Sequence, residues 1–174
     1  LVYELQVHQL ELELQNQELR SSQAELASAR DRYSDLYDFA PVGYASLNQA
    51  GVIEEANLTL STMLGVNRDA LLGANFTQFV VPQCQDAVYL HWQAVFSQTD
   101  KQVCEARLHG KGGVVFDVRL ESIMIEGLES ASRCCRMAVV DISDIVRARQ
   151  ELQALNQSLQ DQVYAKVGEI QLLA

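Results

Sequence analysis

Gly43-Tyr44-Ala45-Ser46-Leu47-Asn48-Gln49-Ala50-Gly51-Val52-Ile53-Glu54-Glu55-Ala56-Asn57 is the stretch from which the rest of the chain is read. Two short runs rich in β-forming residues flank Asn48-Gln49-Ala50-Gly51. These four residues read as a turn, with Gly51 able to take positive φ. The spacing predicts a hairpin, strand 43–47 returning as strand 52–56. Asn57 is a helix N-cap residue type, and the apolar run through Met63-Leu64 ends at Gly65, where a helix C-terminus favours glycine. Asn67 or Arg68 to Leu72 predicts a second short helix closed by Gly73. Asn75 to Val80 predicts a third turn, stopped by Pro82.

Further outward the periods change. Gln83 to Gln98 has helical spacing, with Val88, His91, Trp92, Val95 and Phe96 on one face. Three β segments follow: Gln102 to Leu108, Val114 to Ile125, and Arg133 to Ile142. The tip His109-Gly110-Lys111-Gly112-Gly113 joins the first two, and a loop from Glu126 to Ser132 joins the last two. The order is ββ, short helices, one longer helix, βββ. It predicts an α+β domain with five antiparallel strands and helices on one face.

The ends differ in composition. Residues 1 to about 36 contain no Gly or Pro. Leu5, Leu12, Leu19 and Leu26, then Tyr33, recur every seven residues, a coiled-coil signal. The companion positions His8, Gln15, Ser22, Ala29 and Leu36 are mostly polar or small, so the seam is weak. Tyr3, Val7, Leu10 and Leu14 fall on the opposite face at about 100° per residue. A two-stranded coil buries one face only, so this start is predicted to pack on a further helix, with a tetramer as one outcome. From 144 onward, Ile145, Leu152, Leu155, Leu159, Val163, Val167, Ile170 and Leu173 form a single stripe, with Asp141 or Ser143 as N-cap. The predicted division is 1–36 coiled-coil helix, 37–143 folded domain, 144–174 amphipathic helix. Homodimerisation through parallel coiled coils is expected, centred on Leu5, Leu12, Leu19, Leu26, Ile145, Leu152 and Leu159.

These landmarks resemble a PAS sensor domain. The resemblance is carried by Asp38-Phe39-Ala40-Pro41-Val42-Gly43, by Gly51 to Asn57, by Gly65 and Leu72-Gly73, by the hairpin at 110–113, and by Asp141-Ile142-Ser143, which resembles the Asp-Ile-Thr ending many such domains. It covers roughly 38–143. It implies a sensory or dimerisation module rather than an enzyme, passing a change at the sheet into the C-terminal helix. It also implies an output domain outside this segment, such as a histidine kinase or a cyclic-dinucleotide enzyme. Leu1 in place of Met agrees with an excerpt of a longer protein. The alternative is a ligand-free scaffold that only dimerises and spaces its neighbours.

Relatives of this kind bind haem, flavin or small metabolites, or nothing, so the cofactor is left open. A flavin-thiol photoreceptor needs a Cys in the helix after Gly73; Asn75-Phe76-Thr77-Gln78-Phe79 has none, and Cys84 lies too far along. Met63, Phe79, His91, Trp92, Val95, Phe116 and Met137 are the candidate pocket residues, with core filling as their simpler role. His91 occupies a helix where haem-binding relatives place a ligand; a hydrogen-bonded core histidine is the simpler reading. Arg107 is either a carboxylate clamp or a solvated partner of Glu105 or Glu121. Asp141 and Ser143 are the candidate relay residues, where strand becomes helix.

Composition narrows the classes. The formal charge of −10 implies neither a nucleic-acid partner nor an anionic membrane surface. No apolar run approaches a membrane span, and no segment reads as a signal peptide. Four cysteines with no CxxC, in a chain apolar enough to fold without staples, predict reduced thiols and a cytoplasmic location. Cys134-Cys135 are expected to be inert small hydrophobes. No phosphate loop, nucleophile elbow or HExxH occurs, so no catalytic role is expected of this segment.

Overall fold

A computed structural model describes residues 2–126 and 133–172. Most of the predicted loop after Glu126, and Leu173 of the last stripe, lie outside the described residues. The chain divides into two compact units, Leu1–Ala40 and Pro41–Ala174.

The first unit is one helix, α1 (Val2–Asp38), whose residues are none of them buried. Its length follows from the absence of Gly and Pro and from good helix formers throughout. At 1.5 Å per residue it spans about 55 Å.

The second unit begins with β1 (Gly43–Leu47) and β2 (Ile53–Ala56), paired antiparallel. Asn48 builds the turn: its Oδ1 accepts the N–H groups of Ala50 at 3.0 Å and Val52 at 3.1 Å, and Gly51 takes φ 76°. The second strand is one residue shorter than predicted, because Val52 bridges to Asn75 instead. Gly73 N–H donates to Ile53 O, and Ile53 N–H donates to Ala74 O, so the 73–76 segment covers the free edge of β2.

Helix α2 (Leu58–Leu64) starts and stops where its sequence signals place it. Asn57 Oδ1 accepts Leu60 N–H at 3.0 Å, and Gly65 closes the helix at φ 68°. α3 is a single turn (Arg68–Leu71). A 3-10 turn follows at Phe76–Phe79, capped by Asn75. Pro82 does more than end it: it opens a second 3-10 turn, Pro82–Cys84, that runs into α4 (Gln85–Ser97). Proline at the first position of a helical turn loses no hydrogen bond, which is why it starts one here.

The remaining strands are β3 (Gln102–His109), β4 (Val115–Glu126) and β5 (Arg133–Asp141). The sheet order is β2-β1-β5-β4-β3, and every neighbouring pair is antiparallel. The first and last strands therefore meet at the centre. The core lies between the sheet and the helices, from Ala45, Leu47 and Ile53 through Leu60, Phe76, Val88 and Val95 to Leu108, Val118, Leu120, Met137 and Val139. α5 (Ser143–Leu172) leaves directly from β5.

Candidate functional site

The alternation of β4 puts Val118, Leu120 and Ser122 on the face that α4 covers. Ser122 is a fully buried hydroxyl among aliphatic residues, and such a group needs partners. One is His91 of α4, whose Nε2 lies 2.8 Å from Ser122 Oγ. Cys135 of β5, also fully buried, is within hydrogen-bond reach of the same hydroxyl. A neutral imidazole accepts at one nitrogen and a hydroxyl both gives and takes, so the trio closes with no stranded charge. Burial depresses the His91 pKa below its ordinary value. Burial likewise pushes the Cys135 thiol up to about 12. Both groups are therefore neutral at pH 7.

The other pocket candidates are spread through the core rather than gathered at this trio, with Phe116 six residues along β4 from Ser122 and, like Met63, beside Gly110. Val95 and Met137 are fully buried in the core, while Met63, Phe79, Trp92 and Phe116 are partly buried against it. Trp92 meets Phe76 edge-on at 6.0 Å and His91 at 5.6 Å between ring centres. Its buried indole N–H has no acceptor among the described residues. His91 does not fit a haem ligand: the residue is 6% exposed, and Nε2 is already held by Ser122. Sequence reasoning singled out His91 but missed Ser122, whose only signal was its even spacing from Val118 and Leu120.

Asn57 is the other buried polar organiser. Beyond capping α2, its Oδ1 accepts Tyr44 N–H at 2.8 Å and its Nδ2 donates to Val42 O at 3.0 Å. One amide thus fixes the entry to β1 and the exit from β2.

The strand-to-helix joint contains Asp141 and Ser143, though neither stands at the N-cap. The helix begins at Ser143, so Ile142 occupies that position. Asp141 Oδ1 accepts Ser143 N–H at 2.9 Å. Ser143 Oγ accepts Asp117 N–H of β4 at 3.1 Å, and Ile142 N–H donates to Asp117 O at 2.9 Å. Ile142 O in turn accepts Val146 N–H, the first bond of the helix. Further out, Arg149 reaches Glu105 of β3 at 3.7 Å, an exposed pair worth little by itself. Glu121, offered above as a partner for Arg107, instead meets Lys101 at 2.9 Å and Arg119 at 3.1 Å. The hydrogen bond from Lys101 is the main reason its carboxyl is held below the usual range.

The helical stripes are uncovered in a single copy. Leu5, Leu12, Leu19 and Leu26 are exposed, as are Ile145, Leu152 and Leu159. Among the described residues, no helix is long and apolar enough to cross a membrane, and no cluster of three or more His, Cys, Asp or Glu side chains is placed to hold a metal ion.

A five-stranded antiparallel sheet in this order, with helices on one face, is the fold of a PAS domain. Solved structures agree. The PAS domain of an HTR-like protein from Haloarcula marismortui matches with a TM-score of 0.62 at 18% identity, covering 71% of this chain and 99% of that one. A PAS domain from Colwellia psychrerythraea gives 0.58 at 18%, covering 67% and 98%. A sensory box histidine kinase/response regulator from Burkholderia thailandensis gives 0.57 at 16%, covering 74% and 98%. No family model matches the sequence, and no curated protein does.

Proposed function

We propose that this segment is the sensory and dimerising module of a cytoplasmic signal-transduction protein, a histidine kinase or a cyclic-dinucleotide enzyme, and that it acts without catalysis of its own. The observation that carries the reading is the joint at Asp141-Ile142-Ser143, where β5 becomes α5 while both backbone polar groups of Asp117 are held by the joint. A change in the core that shifts β4 shifts the start of the helix with it. The domain division 1–36, 37–143 and 144–174 then assigns pairing to both ends and sensing to the middle. Met63, Phe79, His91, Trp92, Val95, Phe116 and Met137 are the residues through which a small ligand would be felt.

The uncovered stripes support a homodimer. A 37-residue helix with no buried residue gains nothing from tertiary packing, and isolated helices depend on such packing. Pairing α1 and α5 with their copies in parallel covers one stripe on each. The second apolar face of α1, at Tyr3, Val7, Leu10 and Leu14, would allow dimers to pair into a tetramer. The test is crosslinking. Cysteines placed at Leu152 and Leu159, in a background lacking the native ones, should each give a symmetric disulfide dimer. Sedimentation as one subunit at high micromolar concentration, with no such crosslinks, would overturn the reading.

A scaffold that binds nothing is favoured by one observation, the complete burial of Val95 and Met137 within the apolar core. Native mass spectrometry separates the two. A co-purifying small molecule supports sensing, and a bare polypeptide mass supports spacing alone.

A further inference from the structure

We propose that the free edge of β3 is an interface at which a second copy of this chain adds its own β3, antiparallel and centred on Val103. β3 ends the sheet, with β4 on one side of it. The far half of its edge is covered, since Val80 bridges to Leu108 and Val81 N–H donates to Arg107 O at 3.0 Å. That bond shows that the backbone groups of Arg107 point away from β4. Along an antiparallel strand the two sides alternate residue by residue, so those of Val103 and Glu105 point the same way. Among the described residues, no backbone group pairs with them there, and Glu105 O receives the Cys104 thiol at a long 3.5 Å. Lys101, Val103 and Glu105 are all exposed, Val103 at 53%. An unpaired row of this kind is a template for another strand.

Side chains select the occupant and the register. Outward-facing residues must oppose outward-facing residues, and opposite charges across a ladder stabilise it while like charges oppose it. Centred on residue 103, Val103 faces its own copy, and Lys101 faces the second copy's Glu105 at both ends. Centred on 104, Lys101 would face Arg107, whose edge Val81 already occupies. Centred on 105, Glu105 would face Glu105. Centred on 102, Glu105 would meet Thr99, which lies outside the strand. One register therefore joins the exposed valine to its like and both charges to their opposites. A strand of arbitrary sequence meets the same charges as a barrier.

The contact is isologous, and the two five-stranded sheets run on as one. It is built from the folded domain alone and does not rest on the pairing of the helices. Its carboxylate is shared: Arg149 of α5 reaches Glu105 at 3.7 Å, so the edge contact and the signalling helix draw on the same group.

The test uses the full chain with the native cysteines replaced. Val103→Cys is equilibrated in a glutathione redox buffer beside Tyr89→Cys, an exposed position on α4 away from the edge. Residues directly opposite in a hydrogen-bonded antiparallel pair have Cα atoms about 5.5 Å apart, within disulfide range. On a non-reducing gel, Val103→Cys should give at least about tenfold more two-chain product than Tyr89→Cys, reversed by dithiothreitol. Adding Lys101→Glu or Glu105→Lys singly should lower that product severalfold, and adding both should restore it. The swap exchanges the members of each cross-chain pair but leaves the in-chain partners Glu121 and Arg149 mismatched, so recovery reports the contact between copies. Equal linking at the two cysteine positions, or a swap that recovers nothing, would overturn the proposal. Should the cysteine-free background fail to fold, the same charge variants with the native cysteines decide it by sedimentation: the weight-average mass should fall in each single variant and return in the double. Crosslinks at Leu152 and Leu159 report the helices and those at Val103 the sheet edge, so either reading can fail alone.

Discussion

Replacing Ser122 by alanine tests whether the buried polar trio is a structural unit. The hydroxyl is fully buried and lies 2.8 Å from His91 Nε2. Its removal leaves an imidazole nitrogen in the core with no partner, a loss of about 1–3 kcal/mol for a neutral buried group. His91→Leu, made alone, leaves Ser122 the Cys135 thiol as its remaining neighbour and adds apolar volume, so its cost should be smaller, about 0.5–2 kcal/mol. In the double variant neither polar group is stranded. Its cost should fall short of the sum of the two by about 1–2 kcal/mol. Trp92 makes the measurement local, since it is the single tryptophan and its ring stands 5.6 Å from that of His91. Urea unfolding at pH 7.5 followed by its fluorescence gives all four corners of the cycle. Costs that add within about 0.5 kcal/mol would refute the coupling and reduce the contact to two independent core positions.

Three further outcomes are expected. Because burial holds the folded His91 pKa below 6.5, the unfolded chain binds the proton first as the pH falls. Stability should therefore be flat above about pH 7.5 and fall below about 6.5, by at most about 1.4 kcal/mol per pH unit from this group; urea midpoints from pH 7.5 to 5.5 should show that slope in the wild type and a flatter one in His91→Leu. Gly65→Ala should cost more than Gly73→Ala. Both glycines have positive φ, worth about 1–2 kcal/mol to an alanine, but a Cβ at Gly65 would also stand 2.5 Å from Lys111 Cα, whereas nothing lies within 4 Å at Gly73; equal melting temperatures would contradict this. Ser143→Ala should lose about 1 kcal/mol by leaving Asp117 N–H without its acceptor, and faster amide exchange at Asp117 is its signature.

Local chemistry was legible in the sequence and tertiary pairing was not. The hairpin at 43–56, the Asn57 cap and the stop at Gly65 follow from side chains that bond to their own neighbourhood or from a φ that glycine alone adopts freely. Val52 read as strand because its type and neighbours are strand-like, yet Asn75 and Ala74 capture the edge it would have occupied. Pro82 read as a stop because the loss of its N–H ends a helix, and the same loss is harmless at a first turn. Ser122 had no local signal beyond alternation, since its partner is 31 residues away. At the end of β5, a short polar side chain beside a helix start suggested a cap. The strand places Ser143 one position further on, where its hydroxyl serves the sheet.

That displacement bears on how a signal could leave the domain. A side-chain cap that served only its own helix would be indifferent to the sheet. Here the bonds cross. Ile142 donates its N–H to Asp117 of β4 and accepts Val146 N–H with its carbonyl, so one residue is both the last rung of the sheet and the first of the helix. Ser143 takes the remaining polar group of Asp117, and Asp141 in turn holds Ser143. Asp117 therefore cannot move along its strand without breaking two hydrogen bonds or carrying the helix start with it. Breaking both costs about 1–3 kcal/mol, whereas turning a solvated helix as a rigid body breaks none of its own bonds. The cheaper motion is the one in which the helix start follows the strand. The exposed pairs Arg147–Asp144 and Arg149–Glu105 add little to this joint, because water competes for both.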